Sequence, residues 1–132
     1  GCVSPTDPGP VGTAPAADTG CQVTYIADGD TVHLACPDTG EVKARLLGFD
    51  TPEVYSPGCR EELAAGRLAT ETLRQVLRSG PITAARFEGQ DRYGRELVRL
   101  DVGGQDVART MISMGYAVPY SGGRSPDWCQ ML

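Results

Sequence analysis

Two cysteines fifteen residues apart, with an Asp-Gly pair midway between them, constrain this chain more than any other feature. The stretch is CQVTYIADGDTVHLAC, residues 21–36. An Asp-Gly dipeptide between two β-rich runs predicts a hairpin. With Asp28-Gly29 as the turn, Tyr25 faces Val32, Val23 faces Leu34 and Cys21 faces Cys36, all on one face. Gln22, Thr24, Thr31 and His33 then share the other. A Cys21–Cys36 bridge follows from that register. His33 reads as a solvated strand residue. It is the only histidine in 132 residues and no C-x-x-C occurs, so Ser-His and Cys-His chemistry and tetrahedral zinc all lack their usual parts. Five cysteines without a zinc pattern point to an oxidising compartment, two bridges and one thiol left over.

The remaining periodicity extends the hairpin into a barrel. Val42, Ala44 and Leu46 alternate with Lys43 and Arg45 as a third strand after the turn at Asp38-Thr39-Gly40. Pro52 and Pro57 make the next stretch a loop. Residues 60–79 carry Leu63, Leu68, Leu73, Val76 and Leu77 at helical spacing, and Ser79-Gly80-Pro81 ends that helix. PITAARF and ELVRLDV are strands four and five, joined by the polar turn GQDRYGR. A short helix carries Val107, Met111 and Ile112 and closes at Gly115. Ser125-Pro126-Asp127 reads as an N-cap followed by Pro at the first helical position. The expected fold is α+β and mainly β: a five-stranded antiparallel barrel of the oligonucleotide/oligosaccharide-binding type with two to three packed helices.

Residues 1–20 hold four of the ten prolines and little apolar bulk. They read as an extended linker, and residues 21–132 as the single domain. Gly1-Cys2 resembles the residue pair around the cleavage point of bacterial lipoproteins, which makes Cys2 a candidate lipidation site; an accidental Gly-Cys is the alternative. The expected location is therefore secreted or cell-surface. No run of about 18 apolar residues is present to span a membrane. The net charge of −5 argues against coating nucleic acid by massed basicity but leaves room for a small cationic pocket. Eleven of the twelve basic side chains are Arg, the planar donor that grips phosphate.

Three segments carry polar residues that packing does not explain: Asp28-Gly29-Asp30-Thr31, Arg45 with Asp50-Thr51-Pro52-Glu53, and Asp91-Arg92-Tyr93-Gly94-Arg95. Each lies near a strand end, where a barrel brings side chains to one rim. If they converge, Asp30 and Asp50 offer two carboxylates and Thr51 a carbonyl, a donor set that suits Ca²⁺. Glu53 stands ready to orient or deprotonate a water. Arg45 and Arg95 supply donors for a phosphate oxygen and for the charge of a pentacovalent transition state. Taken singly, each segment also fits a plain turn, a capped loop or an exposed ion pair; the order and spacing of all three distinguish the catalytic reading.

From Val23 to about Tyr120 the chain resembles the staphylococcal nuclease family, through DGDTVHL, RLLGFDTPE, DRYGR and DVARTMISMGYA in order. The resemblance implies Ca²⁺ as cofactor and hydrolysis of DNA and RNA, single-stranded or frayed, with little sugar specificity, to 3′-phosphate ends. It implies Asp30, Asp50 and Thr51 as metal ligands, Arg45 and Arg95 as phosphate-binding arginines, and Glu53 as the water-activating or water-positioning carboxylate. Arg92, Tyr93 and Tyr120 match positions that line the nucleotide pocket. The familiar members are basic and lack cysteines. Here residues 21–132 hold 12 basic and 15 acidic side chains, so attraction to long polymers and its salt dependence are expected to be milder. A Cys59–Cys129 bridge is expected to pin the C-terminal segment to the long helix. The expected protein is a monomeric secreted nuclease. The alternative is a catalytically weak nucleic-acid-binding module on the same fold, which is expected to have lost some of Asp30, Arg45, Asp50, Glu53 and Arg95; all five are present.

Overall fold

A computed structural model describes residues 18–132. Most of the linker expected over residues 1–20, and Cys2 with it, lies outside the described residues. Among the described residues, Thr19 is tied to the body of the fold: its N–H and hydroxyl both donate to the Ile82 carbonyl, at 3.0 and 2.8 Å.

The fold is α+β, mainly β, with a sheet of the oligonucleotide-binding type. Its five main strands are β1 (Gln22–Ile26), β2 (Thr31–Cys36), β3 (Gly40–Leu46), β5 (Ile82–Gln90) and β6 (Glu96–Val102). They run in the order β1-β2-β3-β6-β5. All neighbours are antiparallel except β3 and β6, which pair in parallel over Ala44↔Glu96, Arg45↔Leu97 and Leu46↔Val98. That departs from an all-antiparallel barrel. The physical reason is the crossover between them: helix α1 (Arg60–Arg78) and then β5 return the chain to lie alongside β3. Among the described residues β1 and β5 do not pair, and Thr19 on Ile82 is the link between those two ends.

Three short strands complete the count. β7 (Gln105–Asp106) pairs with β6. β4 (Gly48–Asp50) pairs with β8 (Val118–Tyr120) as a separate ribbon, with Asp50 opposite Val118 and Gly48 opposite Tyr120. Helices α2 (Val107–Ser113) and α3 (Trp128–Met131) follow the last main strand. The N-cap of α3 is Asp127, whose carboxylate accepts from the Gln130 N–H at 3.3 Å, not Ser125; Pro126 therefore sits outside the helix.

The hairpin keeps half of its expected register. Val23 pairs with Leu34 as expected, but a bulge at Thr24 then pairs Tyr25 with His33 and Ile26 with Val32. The turn is longer than two residues, because Ala27 N–H and Asp28 N–H both donate to the Thr31 carbonyl. An extra residue on one strand reverses its facing, so Tyr25 is exposed, 5.1 Å from the His33 ring. Thr31, expected on the polar face, is buried. The cysteines lie before the bulge, so the Cys21–Cys36 bridge forms, as does Cys59–Cys129.

Val32, Leu34, Ala44, Leu46, Phe49, Leu73, Val98, Leu100 and Met111 fill the core. Helix α1 meets it along Gly66, Ala69, Leu73 and Val76, while Leu68 is exposed. Small residues on the buried face bring the helix close. A Cβ on Gly66 would stand 2.8 Å from the Pro52 carbonyl and 2.9 Å from that of Glu53. Gly→Ala ordinarily stabilises an exposed helix interior by about 1 kcal/mol. Gly66→Ala is expected to do the reverse, lowering the denaturant midpoint and displacing the loop of Pro52 and Glu53; an unchanged or raised midpoint would show that the helix does not hold that loop. A Cys59→Ser/Cys129→Ser pair should lose about 3–4 kcal/mol of stability, since that bridge closes a 70-residue separation, and thiol labelling of the unreduced protein should detect none of Cys21, Cys36, Cys59 and Cys129.

Candidate active site

The three charged segments meet at one place, and Arg45 is its centre. Strand alternation puts Arg45 on the outer face of β3, yet it is only 9% exposed. The β4–β8 ribbon covers that face. The guanidinium carbon lies 5.4 Å from the Tyr120 ring centroid, within cation–π range. Nη1 donates to the carbonyls of Leu46 and Phe49. Nη2 lies 3.2 Å from Asp50 Oδ1 and 3.6 Å from Asp30 Oδ2. Both acids are buried, so the pairing is charge-assisted and largely unscreened.

Local chemistry sets each partner. Asp30 ends the hairpin turn, where Asp28 Oδ1 accepts its N–H at 3.0 Å and its carbonyl accepts from Leu46 N–H at 2.8 Å. The turn is thereby tied to the end of β3, and Thr31 faces Arg45 across the ladder. The Thr31 and Thr51 hydroxyls each donate to Asp30, at 3.1 and 3.3 Å. Gly29 permits this approach, because a Cβ there would stand 2.6 Å from Thr51 Oγ1. Asp50 ends β4. Its second oxygen accepts from Trp128 Nε1 at 3.2 Å.

Arg95 reaches the cluster from the β5–β6 hairpin. Its Nη1 donates to Thr31 Oγ1 at 3.2 Å, so Thr31 links it to Asp30. Asp91 holds it there: Oδ2 accepts from Arg95 Nε at 2.7 Å, and Oδ1 accepts the N–H groups of Tyr93 and Arg95, each at 2.9 Å. Slight burial works to raise the Asp91 pKa, but these hydrogen bonds outweigh it and the carboxyl sits below its ordinary value. Tyr93 is exposed at the hairpin tip, with the Arg92 guanidinium 5.0 Å and that of Arg95 5.8 Å from its ring. Arg92 donates to the Tyr93 hydroxyl. These two stand on the outer side of Arg95, whereas Tyr120 lies against Arg45.

The acids repel one another in a partly dry space. Burial first, and then the charge of Asp30, push Asp28 up to about 7 and Asp50 up to about 6; Arg45 and the Trp128 hydrogen bond oppose the rise at Asp50. The Glu53 side chain reaches solvent, but surrounding protein strips part of its hydration. That burial, with Asp30 and Asp50, raises its pKa above the ordinary value. The site thus collects oxygen donors alone, crowded and short of counter-charge, which is the chemistry a hard divalent cation answers. A second group of metal-type ligands, Cys59, Glu62 and Cys129, lies close together, but both sulfurs are spent in the disulfide.

Four residues that support the site had no role in the sequence reading. Asp28 and Asp91 lie within the segments already singled out, as turn residues. Glu62 is buried at the third position of α1, where its oxygens accept the N–H groups of Glu53 and Gly58 at 2.9 and 2.8 Å. An acidic residue in a first helical turn is ordinary, so nothing in the sequence marks it. Trp128 is 78 residues from Asp50, beyond any local pattern.

A family model described as staphylococcal nuclease homologue matches residues 43–128. The Asp28–Thr31 turn precedes that match and is joined to it by the Thr31–Arg45 ladder. The chain is similar to endonuclease YhcR of Bacillus subtilis (strain 168), 32% identical over 105 residues, which is 74% of this chain and 9% of that protein. It is also similar to succinoglycan biosynthesis protein ExoI of Rhizobium meliloti (strain 1021), 35% identical over 100 residues, 70% of this chain and 48% of that one. The chain thus spans less than half the length of either relative.

Glu62→Ala should leave two loop N–H groups without their partner. About 1–3 kcal/mol of stability is expected to be lost, and proteolysis should open first between residues 53 and 58. A midpoint within error of wild type, with that loop still protected, would remove Glu62 from the support of Glu53.

Proposed function

The chain belongs to the staphylococcal nuclease family, and from that premise we propose that it is a Ca²⁺-dependent nuclease. It hydrolyses phosphodiester bonds of DNA and RNA, single-stranded or frayed, with little sugar specificity, and leaves 3′-phosphate ends. The observation that carries this reading is the placement of Asp30, Arg45 and Asp50 within one another's reach, with Arg95 joined to them through Thr31.

Asp30 and Asp50, with the Thr51 carbonyl, are the residues that would hold Ca²⁺. A Ca²⁺ ion held there would supply Lewis-acid polarisation of the phosphoryl group and offset charge in the transition state. Arg45 is anchored through Nη1 on two carbonyls, which leaves Nη2 facing the acids. That Nη2 and the guanidinium of Arg95 are the donors for a phosphate placed beside them. Glu53, with its raised pKa, orients a water and takes its proton as the water attacks phosphorus. The bond from phosphorus to the 5′-oxygen breaks, that oxygen takes a proton from solvent to become the 5′-hydroxyl, and the phosphate stays on the 3′ side. Tyr93, Arg92 and Tyr120 contact the nucleotide. Two disulfides support a secreted or cell-surface setting, with lipid attachment through Cys2 as one route to it, and the enzyme acts as a monomer.

Incubation of single-stranded DNA with Ca²⁺, and in parallel with a chelator, followed by end-group analysis, tests the reading. Cleavage in Ca²⁺ alone with 3′-phosphate ends is expected. Equal cleavage in the chelator, or 5′-phosphate ends, would overturn it. Arg95 is partly exposed, so Arg95→Ala should fold normally and lose about a hundredfold or more in kcat. Arg45→Ala should lose as much and also about 3–5 kcal/mol of stability, because it leaves two buried acids unpaired. Near-normal turnover in either variant would remove that arginine from phosphate binding.

A further inference from the structure

Resting on the reading above, we infer that Trp128 is a positioning residue for Asp50 and that the Cys59–Cys129 disulfide holds it in place. The indole nitrogen only donates, and it donates to Asp50 Oδ2 at 3.2 Å in a buried setting. Arg45 Nη2 takes the other oxygen, Oδ1, at 3.2 Å. Two donors on opposite oxygens fix the plane of the carboxylate. A ligand carboxylate whose plane is fixed presents its remaining lone pairs in one direction, which is how an outer partner tunes a metal site.

Trp128 cannot hold that position by local structure. It opens a helix of four residues, Trp128–Met131, and one turn of helix has no stability of its own. The segment leading to it is exposed from Ser121 to Ser125. What fixes it is the next residue. Cys129 is bonded to Cys59, the N-cap of α1, and Glu62 of that helix in turn binds the N–H groups of Gly58 and Glu53. One covalent staple therefore ties the donor on Asp50 to the same helix end that holds the Glu53 loop. Trp128 is the only tryptophan in the chain, so its emission reports this position without labelling.

The test is a calorimetric titration with Ca²⁺ alone, run beside steady-state kinetics on single-stranded DNA and Trp128 emission. Trp128→Phe keeps the ring and loses the donor. It is expected to weaken Ca²⁺ binding and lower kcat by about tenfold each, with KM for DNA unchanged. Cys59→Ser/Cys129→Ser should give the same losses and shift Trp128 emission to the red. The triple variant should lose no more than Trp128→Phe alone, because the bridge acts through the indole. Wild-type Ca²⁺ affinity in Trp128→Phe would overturn the positioning role. Additive losses in the triple variant, or an unshifted emission on breaking the bridge, would overturn the staple. If Trp128→Phe fails to fold, Asp50→Asn in the intact background decides: a changed Trp128 emission supports the contact and an unchanged one overturns it. Wild-type protein that neither binds Ca²⁺ nor cleaves sinks the nuclease reading and this role together, whereas an active wild type matched by Trp128→Phe sinks this role alone.

Discussion

Three charges taken out of water, Arg45 with Asp30 and Asp50, are what the surrounding structure has to satisfy. A buried charge without a partner costs several kcal/mol, and a buried pair repays that only where the geometry is good and the remaining donors and acceptors are bonded. Nearly every local feature at this rim serves that requirement. The hairpin turn binds its own Asp30 N–H, β4 ends at Asp50, the Leu46 and Phe49 carbonyls take one nitrogen of Arg45, and Trp128 takes one oxygen of Asp50. Asp28, Asp30, Asp50 and Glu53 still outnumber Arg45 and Arg95, and burial together with the charge of Asp30 raises Asp28 and Asp50. A stable ion pair alone has no need of that surplus; the proposed cation site does.

The acidity of the whole chain and the arginines at this rim are compatible. Net charge acts at long range and is screened beyond about 8–10 Å at physiological salt. Donors inside the rim act at contact. Arg95, Arg92 and Tyr93 share one hairpin, so the proposed substrate strand would meet cations and an exposed ring at this face whatever the average charge elsewhere.

Much of the fold was legible because its signals are local. Asp28-Gly29 between apolar runs placed a hairpin, and cysteine spacing placed its bridge. The helix ending at Ser79-Gly80-Pro81 showed in the leucine spacing, although Leu68 faces solvent and the buried stripe begins with Gly66 and Ala69, which carry little hydrophobic signal, before Leu73 and Val76. Proline made residues 51–58 a loop. What stayed illegible depends on contacts between distant segments. A bulge at Thr24 leaves no mark in composition, so the facing of Tyr25 was missed. Alternation put Arg45 outside, because three-residue strands such as β4 and β8 are too short to show periodicity and it is their ribbon that covers it. The parallel pairing of β3 with β6 arises only after α1 and β5 are packed. At the site, Asp30, Asp50, Arg45 and Arg95 were legible as clustered charges, while Glu62, Asp91 and Trp128 act by holding other groups and look ordinary in sequence.

The central claim is that Asp30 and Asp50 share one cation. Titrating Ca²⁺ into the wild type, Asp30→Asn and Asp50→Asn, and counting sites by calorimetry, tests it most directly. One site per chain that is lost or severely weakened in both variants is the predicted result. A site that survives in both with wild-type affinity would place the ion elsewhere and contradict the account.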